Sequence, residues 1–207
     1  EGSVNISRTA WQASDVFFNA NAGTDPASRF INSIDDLAKS GVAAIGTLVG
    51  GQDLSDAERR ERMEEIYFPY HAAIAEQLDH IRQRDVIPAV IAIHSCTPVF
   101  NDVVRPWHFG VLWDTDPRIA VPLLKGLDAL EGICVGDNEP YSGRDPHDYT
   151  MDHHGEAALI PHVSIEVRQD LIDSKQGAMK YADMLASVLK PILADADLYR
   201  LLNGEGG

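Results

Sequence analysis

The chain has 207 residues, enough for one domain with a hydrophobic core and more than a fold that depends on covalent staples would need. Seventeen Lys and Arg against thirty-two Asp and Glu leave a formal charge of −15, which repels phosphate backbones and anionic lipid surfaces, so neither nucleic acid nor membrane is expected as a partner. Two cysteines, Cys96 and Cys134, stand in separate apolar stretches with no CxxC pair; no apolar run reaches the roughly 18 residues that span a bilayer, and Glu1–Asn5 shows no leader pattern, so a reduced, cytoplasmic setting is expected.

Residues 1–45 mix polar, small and apolar types with weak periodicity, and only a helix over Ile31–Lys39 is expected there. From Ser55 the pattern sharpens. Ser55-Asp56-Ala57-Glu58 reads as a capping box, and Met63, Ile66, Tyr70, Ile74, Leu78 and Ile81 recur at helical spacing, with Pro69 expected to kink the helix or split it. Ala89–Ile93 is a short, continuously apolar run rich in branched residues, suited to a strand buried on both faces and ending at His94-Ser95. Trp107–Trp113 reads as a second strand, Arg118–Leu130 as a helix, Ile133–Val135 and His162–Val167 as further strands, and Lys175–Leu193 as a closing helix. This alternation predicts a single α/β domain over 1–207, three-layered, with a mostly parallel sheet between flanking helices and an atypical or incomplete region at 1–45.

Each apolar strand stops at polar residues: His94 and Ser95, Asp114, Asp137 and Asn138, and Glu166 with Arg168. In an open parallel sheet ligands bind beyond the carboxyl ends of the strands, so these ends are expected to converge on one crevice. Within Val163–Arg168 a period of two puts Ser164, Glu166 and Arg168 on one face. A carboxylate there is costly to bury without a partner, which makes Glu166 a candidate general base and Arg168 a candidate clamp for a small anionic substrate, the alternative being a structural ion pair between the two. His153-His154-Gly155-Glu156, just before that strand, is a candidate source of a proton donor or of groups that orient the site, chiefly His154 and Glu156; a helix start at the surface fits the same residues. His71 and His80 read as surface or packing positions on the long helix.

Five ordered segments, His94–Val99, Arg105–Trp113, Gly136–Ser142, His154–Ala157 and Pro161–Ile172, together with Phe68–Ile74 before them, resemble the successive motifs of the N-formylglutamate amidohydrolase family, over about Gly46 to Leu193. The resemblance implies a fold like that of the zinc carboxypeptidases, a metal-binding role for His94, and a general-base role for Glu166. It also implies a reaction, hydrolysis of N-formyl-L-glutamate to formate and glutamate in histidine breakdown. A divalent metal, zinc in the first instance, would polarise the formyl oxygen and lower the pKa of a bound water towards 7. Arg168 is then the first candidate for the substrate carboxylate, with Asn138, Tyr141 and Ser95 as hydrogen-bonding groups.

A catalytic zinc generally takes three protein ligands, and only His94 is matched, since no histidine precedes His71. Gly46–Gly51 resembles the family's Gly-Thr loop, yet no early His-Ala-Ser-like strand end is found, so either those ligands lie upstream or the metal site is lost. Two rival readings follow: a cysteine hydrolase using Cys96 beside His94, and an impaired or non-catalytic binding homologue that keeps only the carboxylate pocket.

Overall fold

The structure, a computed structural model, describes residues 14–18, 56–144 and 149–202. The expected helix over 31–39 and the first residue of the capping box lie outside the described residues. In chain order the elements are β1 (Ser14–Phe18), α1 (Asp56–Arg62), a π-helical turn (Met63–Tyr67), α2 (Phe68–Arg82), β2 (Ala89–Cys96), β3 (Val99–Phe100), β4 (Val103–Val104) and β5 (Phe109–Leu112). They continue with α3 (Pro117–Asp128), β6 (Val135–Asp137), α4 (Tyr149–Met151) running into a π-helical turn (Asp152–Glu156), β7 (His162–Arg168) and α5 (Lys175–Leu193), with short 3-10 turns after β7 and α5. Pro69 sits in the first turn of α2 directly after the π-helical turn, so the expected kink or split takes the form of a local π-helical widening in a helix that otherwise continues.

The expected α/β fold with flanking helices is what the chain adopts. The main sheet has the order β1-β2-β7-β5-β6. β2 pairs with β7 and β5 with β6 in parallel, while β1 runs antiparallel to β2 and β5 antiparallel to β7. One face carries Ala89, Ile91, Val163, Ile165, Val167, Phe109 and Val111 against Ile119, Leu123 and Leu127 of α3 and Tyr181, Leu185 and Leu189 of α5. Val90 and Ala92 on the opposite face are covered by Tyr70, Ile74 and Leu78 of α2 with Met151 and Ile160. Fully burying one such aliphatic side chain is worth about 1.5–3 kcal/mol, so a layer on each face explains why β2 is apolar on consecutive residues over Ala89–Ile93, whereas β7 is apolar only on the α3–α5 face, at Val163, Ile165 and Val167. The helices are started by side chains: Asp116 accepts from the Arg118 amide ahead of Pro117, and Ser174 from the Gly177 amide.

Two expectations are corrected. Residues 1–45 do supply a strand, because Ser14–Phe18 lies along β2 with Ser14 opposite Ile93 and Phe18 opposite Ala89, so the edge of β2 is paired. The four polar strand ends also do not converge. No helix intervenes between Cys96 and Phe109, and a parallel return needs a crossover of a dozen or more residues, usually helical. The segment is occupied instead by the β3–β4 hairpin, closed at Asn101 and Asp102 with φ of 49° and 62°, as a two-residue hairpin turn demands. β5 therefore starts at the edge where β2 ends and runs back. Asp114, Asp137 and Asn138 lie at the edge where β7 begins, and His94, Glu166 and Arg168 at the other.

Candidate active site

β2 does not stop at His94 but continues to Cys96, because its register with β7 is unbroken from Val90 opposite His162 to Cys96 opposite Arg168. His94 stands opposite Glu166 in this ladder. Alternation keeps both on the face that bears Val90 and Ala92, and it turns Ser95 to the other face, where its hydroxyl accepts from the Gln169 amide at 3.4 Å. Glu166 is buried. The next pair along, Cys96 and Arg168, shares the same face. Burial first, and the nearby Glu166 charge second, push the Cys96 thiol up to about 11. That direction favours the thiol over the thiolate that a cysteine hydrolase would use as its nucleophile.

Arg168 does not pair with Glu166. Its Nε and Nη2 donate to the two carboxylate oxygens of Asp170 at 2.7 and 3.2 Å, and Nη1 donates to the carbonyls of Arg105 and Pro106, each at 3.1 Å. The Asp170 hydrogen bonds raise the guanidinium's pKa, and the guanidinium holds the Asp170 carboxyl below its usual range. The donors expected to clamp a substrate are thus spent on pinning the strand end to the chain that leads into β5.

Tyr141 and Asn138 are separated by a loop that changes edges. Gly110 of β5 and Gly136 of β6 are register partners, and the backbone of Glu139 passes directly over both: a Cβ at Gly110 would run into the Glu139 carbonyl, and one at Gly136 would sit 2.8 Å from the same oxygen. Only a lane without side chains lets the loop cross so close. Gly110 is also the register partner of Glu166, so the crossing runs beside the carboxylate. Asn138, in the left-handed region with φ 53°, ties the base of the loop by accepting with Oδ1 from the Trp113 and Gly143 amides at 3.0 and 2.9 Å. The crossing delivers Tyr141 to Arg105, whose guanidinium lies 4.9 Å from the Tyr141 ring centre and 5.0 Å from that of Phe100. Sequence reading missed Arg105 and the β3–β4 hairpin that carries Phe100. The Asn101-Asp102 pair between two apolar dipeptides was the available signal for the hairpin.

His154 and Glu156 also part company. His154 is buried, and its Nε2 lies 2.9 Å from Nδ1 of His71 on α2, the rings stacked at 5.2 Å. Burial and then the neighbouring His71 and His153 lower its pKa to about 4, and His71 is lowered by burial and His153. His71 is therefore no bland helix residue, a fact hidden from sequence by a separation of 83 positions. Glu156 belongs to the far edge: it accepts from the Thr115 amide and hydroxyl and sits 3.2 Å from Nε2 of buried His162. Burial, the largest influence, pushes the Glu156 carboxyl up, but the His162 and Thr115 hydrogen bonds outweigh it and hold the group at about 2; the same pairing raises His162 against its own burial.

Among the described residues no group of three His, Cys, Asp or Glu side chains is placed to hold a metal ion. His94 with Glu166 is the closest approach to the expected centre, and it falls short of a zinc site's ligand count.

The profile of the N-formylglutamate amidohydrolase family matches residues 20–173, most of the chain and starting upstream of the expected Gly46. This chain belongs to the N-formylglutamate amidohydrolase family. Among solved structures, the gene product Atu2144 from Agrobacterium tumefaciens is 29% identical with a TM-score of 0.59, the alignment covering 68% of this chain and 57% of that one. The N-formylglutamate amidohydrolase from Ralstonia eutropha JMP134 is 20% identical with a TM-score of 0.51, covering 69% and 57%, and supports the fold alone. The chain thus spans little more than half the length of the structures it resembles. No curated protein matches it. Among the described residues no helix is long and apolar enough to cross a membrane.

Proposed function

We propose that the protein hydrolyses the amide of a small N-acyl amino acid, N-formyl-L-glutamate in the first instance, to formate and glutamate, as a cytoplasmic step of histidine breakdown. What carries the reading is the opposition of His94 and Glu166 in adjacent parallel strands, on the face and edge where the crossing loop and Arg105 also meet. In this reading Glu166 takes a proton from the water that attacks the formyl carbon and returns it to the departing amine, so that the C–N bond breaks to give the amine of glutamate and formic acid, which ionises to formate. His94 orients the water or substrate from the opposite strand. A divalent metal, zinc by family, belongs to the reading through His94 alone. The described residues do not make up its ligand set, and the proton transfers assigned here do not depend on it.

The test is formate release from N-formyl-L-glutamate by the purified chain, with and without added zinc, beside N-acetylglutamate and an uncharged formyl amide. Turnover that prefers the formyl dicarboxylate supports the reading. The short ligand count favours a second one, a binding homologue with impaired chemistry; calorimetric binding of N-formylglutamate with no formate in excess zinc would establish that instead.

A further inference from the structure

Arg105 is 6% exposed, at the C-terminal end of the β3–β4 hairpin, with its amide donating to the Pro98 carbonyl at 2.8 Å. Its Nη1 donates to the Thr97 carbonyl at 3.3 Å and the Thr97 hydroxyl at 3.2 Å, and the Phe100 and Tyr141 rings flank the guanidinium. Among the described residues no carboxylate lies within ion-pair distance of it. Arg118 and Arg168, by contrast, each engage a carboxylate, Asp116 at 2.5 Å and Asp170 at 2.7 Å. Aromatic faces attract a cation but carry no net charge, and a nearly buried charge without a counter-ion is costly. A guanidinium has five N–H donors in a rigid fork matched to a planar anion, and Thr97 occupies one corner. The loop that brings Tyr141 to Arg105 passes over Gly110, beside Glu166, two residues earlier, a chain distance of at most about 7 Å.

We propose that Arg105, and not Arg168, is the residue that receives a carboxylate of the substrate, with Phe100 and Tyr141 holding the guanidinium flat for it. The site selects a small acyl amino acid or dicarboxylate whose anionic end meets Arg105 while its amide meets Glu166. The identity of that amide rests on the proposed function; the anion site does not.

The test is calorimetric titration of the full chain with N-formyl-L-glutamate and with glutarate, which has the carboxylates and no amide, in wild type, Arg105→Met and Arg105→Lys. Loss of a charged hydrogen-bond partner corresponds to roughly 10- to 150-fold in affinity, and Arg105→Met should weaken both ligands by that much. Arg105→Lys keeps the charge without the fork and should fall between; circular dichroism confirms folding, and the lysine variant decides if the methionine variant does not fold. Unchanged affinity in a folded variant, or no glutarate or N-formylglutamate binding by wild type, overturns the proposal. Arg105-dependent binding without formate release would support the anion site while removing the hydrolytic reading.

Discussion

His94 and Glu166 occupy opposite positions of one parallel ladder, on the face of the sheet that α2 covers. On the proposed reading the Glu166 carboxylate takes a proton from water there and returns it to the departing amine. Replacing Glu166 by Gln keeps the size and removes the base. We expect kcat for formate release to fall by roughly two to four orders of magnitude with the melting temperature little changed. Near-normal turnover in that variant would take Glu166 out of the chemistry.

Arg168 is expected to behave as a structural residue. Met at 168 forfeits the Asp170 pair and the two carbonyl contacts. The pair is partly exposed and is worth no more than about 1 kcal/mol after solvent screening, with the carbonyl contacts adding to it, so a melting shift of several degrees is anticipated. Charged and uncharged formyl amides should lose kcat/KM in equal proportion; a loss confined to the charged substrate would return Arg168 to the role of clamp.

Gly110→Ala is a direct test of the crossing loop. The new methyl meets the Glu139 carbonyl, and backbone rather than a flexible side-chain end must move. Overpacking of this kind costs about 1–3 kcal/mol, or about 2–12 °C in melting temperature at this size. Because the displaced loop carries Tyr141, glutarate affinity should fall alongside stability. A variant as stable as wild type, with unaltered binding, would mean that the loop does not hold this path.

Buried His154, paired with half-buried His71, makes stability depend on acid. The folded pKa of His154, about 4, lies below the ordinary value of 6.5, so the unfolded chain takes up protons first as pH falls. Stability is unaffected by this group above about 6.5, and declines between 6.5 and 4, by an amount on the order of 3 kcal/mol at about 1.4 kcal/mol per pH unit. Glu156 acts lower: its depressed pKa of about 2 contributes stability that is complete above the unfolded value of 4.5 and is lost progressively as pH falls from 4.5 to about 2. Denaturant melts from pH 7 to 4 should show the decline in wild type and a shallower one in His154→Gln. Parallel curves would assign the acid sensitivity elsewhere.

Zinc should be weakly held. With no three-ligand group among the described residues, dialysis followed by elemental analysis is expected to leave well under one ion per chain. One tightly retained zinc would place its ligands among residues outside those described.

Much of this was legible in the sequence because β2, β7, α3 and α5 are set by local periodicity: the closing helix has the expected bounds, Lys175–Leu193, and the apolar runs fall in the strands they suggest. The Glu166 and Arg168 alternation was equally local. Strand direction was harder, since a terminal polar residue looks the same whichever way its strand runs; the missing helix between Cys96 and Phe109 was the clue to the reversal at β5. The His71–His154 contact and the Arg105 pocket depend on residues far apart in the chain, and no local pattern announces them.

The glycine lane under the crossing loop separates two inheritances. Residues from Asn138 to Gly143 form a strap whose ends are fixed by one amide side chain, while its middle alone reaches the anion pocket. A descendant that gained or lost a residue within the strap would keep its sheet and its helices and lose the ring from beneath Arg105. Ligand choice in this lineage can therefore drift through a stretch of six positions without the architecture registering the change.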